Sequence, residues 1–256
     1  MLATQEYQRV VYNANPLAEV ICQLRFPKLL QIDASPPARF QMLVMGEYPH
    51  LEERDSIQID VSPQSASGPI QRTKSYHFTS DDGHWSVTLA SDFIALTATK
   101  YTRWEDFRAR LRVVTGALLE EYHILHFSRI GLRYRDVIDP SQLGMYDVAW
   151  KDLIQPTVLG VVGADMLHRG EVLSAMSSTV MKIDGVHTVL HAGLLDNNAT
   201  KQKAFLIDTD FSIDGKIQPG ADHAIESANR LHELSGPVFR WCITDKLHDH
   251  LKPQAV

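Results

Sequence analysis

The chain has 256 residues, of which 44% are hydrophobic and 22% are charged, and its formal net charge is −6 at pH 7. A chain of this length and composition can bury a sizeable core without disulfides or metals. The acidic balance argues against nonspecific nucleic-acid binding, because attraction to phosphates needs a basic face.

Three features of the sequence bear on the cellular compartment of the protein. No apolar run approaches membrane-spanning length, and the N-terminus lacks the charged-then-apolar layout of a secretory signal. Cys22 falls in a strand pattern and Cys242 in a helix pattern, which predicts two isolated buried thiols. We therefore expect a cytoplasmic protein that makes no membrane contact.

The first half of the chain predicts a meander of strands packed by one long helix. Period-two alternation predicts strands at 20–26, 76–80, 85–90 and 93–101, with a short helix at 38–46 and turns or loops at 49–53 and 62–69. Thr102 to Glu105 matches a capping box. From Trp104 to Tyr122, apolar residues recur at three- and four-residue spacing, which predicts an amphipathic helix that covers the strands.

The segment after this helix predicts a strand with a row of arginines on one side. Residues two apart in a strand project the same way, at a spacing of roughly 6 to 7 Å. The row comprises Arg129, Arg133 and Arg135, and Arg25 extends it if the first strand lies alongside.

Two interpretations of the arginine row are open. Arginines on an exposed sheet face commonly pair with carboxylates on neighbouring strands. Alternatively, planar guanidinium groups bind an anionic ligand or an acidic partner surface bidentately. The second interpretation predicts a binding set of Arg129, Arg133, Arg135, Arg25 and Tyr134.

The second half repeats the order of strands followed by a helix. Asp139-Pro140 predicts a division into halves 1–139 and 140–256, with one continuous domain as the alternative. Strand patterns occupy 172–183, 188–195 and 204–213, and a helix begins near Asp222 and bends or restarts at Gly236-Pro237. Because strands come in runs, we expect an α+β fold with mostly antiparallel sheets packed by amphipathic helices in two similarly ordered halves. An ancient duplication is a hypothesis from that order.

One pair of carboxylates suggests a competing chemistry. Asp208 and Asp210 share one side of a predicted strand and could hold magnesium, with Glu171 or Asp196 completing a nuclease-like site. A solvated acidic strand face explains the pair equally well. The spacings typical of zinc sites and of serine hydrolases are missing from the sequence, and we expect no cofactor.

Short phrases spread over nearly the whole chain resemble a known family. They are Tyr12-x-x-x-Pro16-Leu17-x-Glu19-Val20, Arg25-Phe26, Leu96-Thr97 with Tyr101-x-x-Trp104-x-x-Phe107, Ile130-Gly131-Leu132-Arg133-Tyr134, and His232 with Phe239-x-x-x-Ile243-Thr244-Asp245. Together they are similar to a sporadically distributed prokaryotic family of unassigned function. Because that family carries no agreed activity, the resemblance supports the fold boundaries and implies no mechanism. Its patchy distribution is similar to that of genes in mobile elements and phage-defence operons.

These observations lead to two expectations about function. The first is a non-enzymatic binding or sensor component of a multi-protein system, in the setting of prokaryotic phage defence, that recognises a partner protein or an anionic ligand through the arginine-bearing sheet. The alternative is a metal-dependent phosphodiesterase or nuclease centred on Asp208 and Asp210. The sequence leaves oligomerisation open.

Overall fold

A computed structural model describes residues 7–59, 70–164, 172–197 and 200–255. The strands are β1 (Val10–Tyr12), β2 (Leu17–Arg25), β3 (His50–Ile59), β4 (Ile70–Thr79), β5 (Trp85–Ala90), β6 (Phe93–Ala98), β7 (Phe127–Ile138), β8 (Met176–Ile183), β9 (Val186–Asn197), β10 (Gln202–Ile217) and β11 (Pro253–Ala255). The α-helices are α1 (Leu30–Ala34), α2 (Ala38–Val44), α3 (Trp104–Glu121), α4 (Pro156–Leu159), α5 (Ala221–Cys242) and α6 (Asp245–His250). None of these described helices is long and apolar enough to cross a membrane.

Hairpins build most of the sheet structure, which makes the protein α+β. Nine strands follow one another in the order β3-β4-β5-β6-β2-β7-β10-β9-β8, and β1 pairs with β11. Adjacent strands of the chain pair antiparallel from β3 to β6 and from β8 to β10. The strands predicted at 76–80 and 85–90 form a hairpin, since β4 pairs with β5, and β8 and β9 form another across Asp184-Gly185. The predicted class is therefore confirmed.

The chain divides into two compact units. The first comprises the described residues within 1–20, 132–213 and 229–256, and the second those within 21–131 and 214–228. The proposed boundary at residues 139 and 140, and the duplication hypothesis, stay predictions.

Helix α3 covers the β5–β6 hairpin in the second unit. Its predicted apolar stripe is buried: Trp104, Phe107, Leu111, Val114, Leu118 and Tyr122. The Phe107 ring lies 5.8 Å from the Trp85 ring on β5, which joins helix and sheet. The predicted capping box is wrong, because the N-cap residue is Arg103 and the Thr102 hydroxyl donates to Asp106 instead.

Three other boundaries differ from the sequence prediction for physical reasons. Residues 50–53 belong to β3 because they pair with β4, which overrides their turn-like composition. Strand β10 continues through Asp214-Gly215 to Ile217. The helix does not restart at Gly236-Pro237, because α5 continues through Pro237 to Cys242. Gly236 has no Cβ to clash with the proline ring, and the predicted bend stays a prediction. The loop predicted at 62–69 lies outside the described residues.

The two cysteines are free thiols in the interior, as the sequence predicts. Cys22 lies on β2 and Cys242 is the last residue of α5, and both are fully buried. Burial raises the pKa of Cys22 to about 12, so this thiol stays protonated and unreactive at neutral pH.

The close approach of two backbones at Gly193 gives a test of the packing in the first unit. A Cβ on this β9 residue would lie 2.0 Å from the carbonyl oxygen of Ala175. That oxygen also accepts a 2.8 Å hydrogen bond from the Leu194 amide, so it cannot easily move away. We expect Gly193→Ala to lower the free energy of unfolding in urea by about 1–3 kcal/mol through overpacking.

Gly116 provides the matched control, since a Cβ there meets no atom within 4 Å. It lies inside α3, where alanine favours the helix by about 0.5–1 kcal/mol. Gly116→Ala should therefore stabilise the protein. A Gly193→Ala variant as stable as the wild type would contradict the close approach.

Candidate functional site

A buried carboxylate on β10 holds the arginines of β7 in the first unit. Asp208 accepts hydrogen bonds from Arg133 at both oxygens, from Nε to Oδ1 at 2.7 Å and from Nη2 to Oδ2 at 2.5 Å. The Asp208 side chain is 5% exposed and that of Arg133 is 42% exposed. The pair is thus bidentate, with its acidic end inside the protein and its basic end at the surface.

Arg135 lies against the same carboxylate and reaches a second one. Its Nη1 donates to Oε2 of Glu19 on β2 at 2.9 Å. Its Nε is 3.7 Å from Oδ2 of Asp208 and is buried without a hydrogen-bond partner. We call Glu19, Arg133, Arg135 and Asp208 the Asp208 cluster, and its four formal charges sum to zero.

The Asp208 cluster leaves hydrogen-bonding capacity at the surface. A guanidinium carries five N–H donors, and Arg133 uses Nε and Nη2 on Asp208. No described residue accepts from its Nη1. Donation of these hydrogen bonds to Asp208 raises the pKa of Arg133, which keeps the guanidinium charged. An incoming carboxylate or phosphate oxygen can therefore bind an arginine that is already oriented.

The structure thus shows the ion pairing that the sequence analysis gave as the alternative to ligand binding, since Arg133 and Arg135, the two arginines of the row in this unit, have carboxylate partners. Tyr134, the fifth residue of the predicted binding set, points to the other side of β7 and is buried. Its hydroxyl lies 2.8 Å from Nδ1 of His232 on α5. Tyr134 is therefore not part of the arginine-bearing surface.

The two remaining residues of the predicted set lie in the second unit. Nη1 of Arg129 donates to Gln23 at 3.3 Å, and its Nε is 4.0 Å from Asp214. Its guanidinium lies over Gly131, where a Cβ would come within 2.2 Å of Nη1. Arg25 donates to Asp92 at 3.2 Å. Both arginines therefore have acceptors of their own.

The side of β7 opposite the arginines carries a buried acid, Asp136. It shares strand parity with Ile130, Leu132 and Tyr134, all of which are buried. Burial, and to a smaller extent the carboxylate of Asp208, raises the pKa of Asp136 to about 8. This carboxyl group is therefore mostly protonated at neutral pH, while Asp208 is compensated by arginine.

The Asp208–Asp210 pair is a poor magnesium site in this arrangement. Both oxygens of Asp208 accept hydrogen bonds from Arg133, so a metal would have to displace the guanidinium. Among the described parts of the chain, no group of three or more His, Cys, Asp or Glu side chains is placed to hold a metal ion. Glu171 lies outside the described residues, and Asp196 pairs with Lys203 at 2.7 Å.

The second unit contains an acidic cleft of about 680 Å³ between α3 and the turn after β4. Arg110 lies 4.6 Å over the Trp85 ring at its floor and pairs with Glu47 at 2.5 Å. Asp82 at its rim accepts from the Ser80 hydroxyl and the His84 amide. Because a side chain of the protein already covers the aromatic face, we do not treat this cleft as the site.

Sequence reasoning missed two acids: Glu19, which belongs to the Asp208 cluster, and Asp136, which lies on the opposite side of β7. Glu19 carries no periodic signal of its own, because a strand of mixed polarity surrounds it. Asp136 could have been found from the sequence, because it continues the alternating series of Ile130, Leu132 and Tyr134, which marks the buried side of the strand. Its burial follows from that parity.

No protein-family model matches this chain. A search of curated proteins finds no relative either.

Removing Arg133 tests the role of Asp208. We expect Arg133→Met to lower the free energy of unfolding by about 3 kcal/mol, because it leaves a buried carboxylate without its main partner. Arg133→Met combined with Asp208→Leu removes the charge as well and should recover most of that loss. Denaturant unfolding measures both. Equal destabilisation in the single and double variants would contradict the compensation of Asp208 by Arg133.

The protonation of Asp136 predicts a pH dependence of stability. The folded pKa is raised, so the unfolded chain releases this proton near pH 4 and the folded protein only near pH 8. Between these values the folded state binds more protons, and this group lowers the free energy of unfolding by up to about 1.4 kcal/mol per pH unit as pH rises.

Asp136→Asn removes this titration and keeps a side chain of the same shape. The stability of the variant relative to the wild type should therefore increase from about pH 5 to about pH 7. Urea unfolding at several pH values measures the difference. Tyr12, Cys242 and Asp208 interact electrostatically with Asp136 and are unchanged in the variant. A difference that does not vary with pH would contradict a neutral Asp136.

Proposed function

We propose that this protein is a non-enzymatic binding component of a multi-protein system and that it recognises an anionic group through Arg133 and Arg135. The observation that carries the proposal is the placement of two half-exposed guanidinium groups by one buried carboxylate. The resemblance in sequence favours a sensor role in prokaryotic phage defence as the setting, and we expect the protein to act in the cytoplasm.

Preorganisation supports the proposal. A flexible surface arginine loses rotamer freedom when it binds a ligand, and this loss weakens binding. Asp208 has already fixed the Arg133 side chain through two hydrogen bonds, and Glu19 holds Arg135. An anion that binds the outward N–H groups therefore costs little further rotamer freedom, because both arginine side chains are already held in place.

The charge balance limits the kind of ligand. The Asp208 cluster is formally neutral, and Asp210 adds a negative charge close enough to interact with Arg133. Affinity must then come from directed hydrogen bonds and not from long-range attraction. A carboxylate or phosphate of defined geometry suits this surface, presented by a partner protein or by a small ligand.

Calorimetric titration with three probes tests the proposal: citrate, inorganic pyrophosphate and a peptide of consecutive glutamates. We expect at least one to bind the wild type. The variant Arg133→Met with Asp208→Leu should bind it about tenfold more weakly or not at all, because it lacks the oriented guanidinium. A simple Arg133→Ala change is unsuitable, since it leaves Asp208 buried and unpaired.

Arg112→Met is the matched control, because Arg112 is an exposed arginine of α3 that pairs with Asp222, and both residues belong to the second unit. It should bind the probes as the wild type does. Preference for the glutamate peptide indicates a protein partner, and preference for citrate or pyrophosphate indicates a small anion. The proposal is wrong if no probe binds, or if the double variant binds as tightly as the wild type.

A further inference from the structure

Strand β8 is an open edge of the nine-stranded sheet. It pairs with β9 along its whole length, from Met176 opposite Gly193 to Ile183 opposite Val186. It is the last strand in the sheet order, so no other described strand pairs with its outer side. The backbone N–H and C=O groups directed outward from β8 therefore lack a partner within the described sheet.

Both faces of β8 are uncovered as well. The five residues from Met176 to Val180 are all exposed, including the apolar side chains of Met176 at 53% and Val180 at 64%. Lys182 is the single charged residue of the strand, which contains no proline and no glycine. An exposed edge of this kind, with a single charged residue and no proline, pairs readily with another strand.

The opposite edge of the same sheet shows the contrast. Strand β3 carries four consecutive charged residues, Glu52, Glu53, Arg54 and Asp55, all of them exposed. Charged side chains on an edge strand are a common device against unwanted pairing. Edge β3 has this protection and edge β8 does not.

We propose that β8 pairs with β8 of a second copy of this chain, so that the sheet continues antiparallel across a twofold axis. A twofold axis normal to the sheet leaves the same face of both strands on the same side. Even-numbered residues of one strand must therefore lie opposite even-numbered residues of the other, and odd-numbered residues opposite odd-numbered ones. The two registers that align the strands most fully place either Thr179 or Val180 opposite itself.

The charge of β8 permits both registers. When the axis passes between the two copies of Thr179, Lys182 lies opposite Met176 of the second copy. When it passes between the two copies of Val180, Lys182 lies opposite Ser178. Neither register places like charges opposite each other, which would disfavour pairing. The charges of a second copy are therefore compatible with this edge in both registers. Such a dimer uses the same surface on both chains.

The pairing has a modest expected strength. Two eight-residue strands form about eight backbone hydrogen bonds and cover the exposed Met176 and Val180 side chains. The interface is at the small end of the range for protein complexes, so we expect a dimer that dissociates on dilution into the low micromolar range, about 1–10 µM.

Light scattering after gel filtration of the full chain, over a series of loading concentrations, tests the proposal. We expect the wild type to shift from monomer to dimer. Val180→Lys places a lysine of each chain close to the axis, directly opposite its own copy in one register and diagonally beside it in the other. The repulsion should leave a monomer at every concentration. Leu51→Lys, at an exposed position of β3, is the matched control and should dimerise as the wild type does.

Single cysteine variants locate the axis and check the result independently of stability. Thr179→Cys and Val180→Cys each bring a thiol opposite its own copy in one of the two registers, at a separation that a disulfide can span. Cys22 and Cys242 are buried and should not react. Under mild oxidation we expect one of the two variants to form a disulfide-linked dimer, and Leu51→Cys to remain unlinked.

Two results would overturn the proposal. One is a wild type that stays monomeric at all concentrations, which would leave β8 to a different partner. The other is a wild-type dimer that Val180→Lys does not weaken and that neither cysteine variant links, which would place the interface elsewhere.

Discussion

The hydrogen-bonded ion pair between Asp208 and Arg133 is the interaction on which the polar side of this part of the sheet depends. An ionised carboxylate inside a protein is costly unless charged donors compensate it. Arg133 supplies two hydrogen bonds and Arg135 a second positive charge. Asp208 thus fixes Arg133 through two hydrogen bonds, while Glu19 holds Arg135 beside the same carboxylate, and the outward N–H groups are positioned as a consequence.

A carboxyl group lies near each side of β7: Asp208 of β10 beside the arginines, and Asp136 of β7 itself on the other side. Asp208 faces arginines and remains compensated, whereas Asp136 is buried among apolar groups on the far side of β7 and retains its proton near neutrality. Around β7 the sheet therefore has a polar, partly exposed side that carries the arginines and an apolar side that packs toward α5.

The sequence predicted the class, most strands and the stripe of α3, because these follow from period-two and period-3.6 patterns that burial enforces. It failed where tertiary pairing overrides local composition, as at residues 50–53, which pair with β4. It placed Arg133 and Arg135 on one side of a strand and Asp208 on another strand. It could not show that these side chains meet, because strand order and register are long-range properties that no local pattern contains. For that reason Asp208 was weighed as a metal ligand. Tyr134 was included in the binding set although local parity already places it with Ile130 and Leu132, on the side away from the arginines.

The exchange of the Arg133 Nε proton with water, measured by nuclear magnetic resonance, tests the central claim most directly. A proton held between Arg133 and the buried oxygen Oδ1 of Asp208 should exchange much more slowly than the Nε proton of Arg112, whose partner Asp222 is exposed. Asp208→Asn should accelerate the exchange of Arg133 and leave that of Arg112 unchanged. Rapid exchange at Arg133 in the wild type, equal to that of Arg112, would contradict a guanidinium fixed by a buried carboxylate.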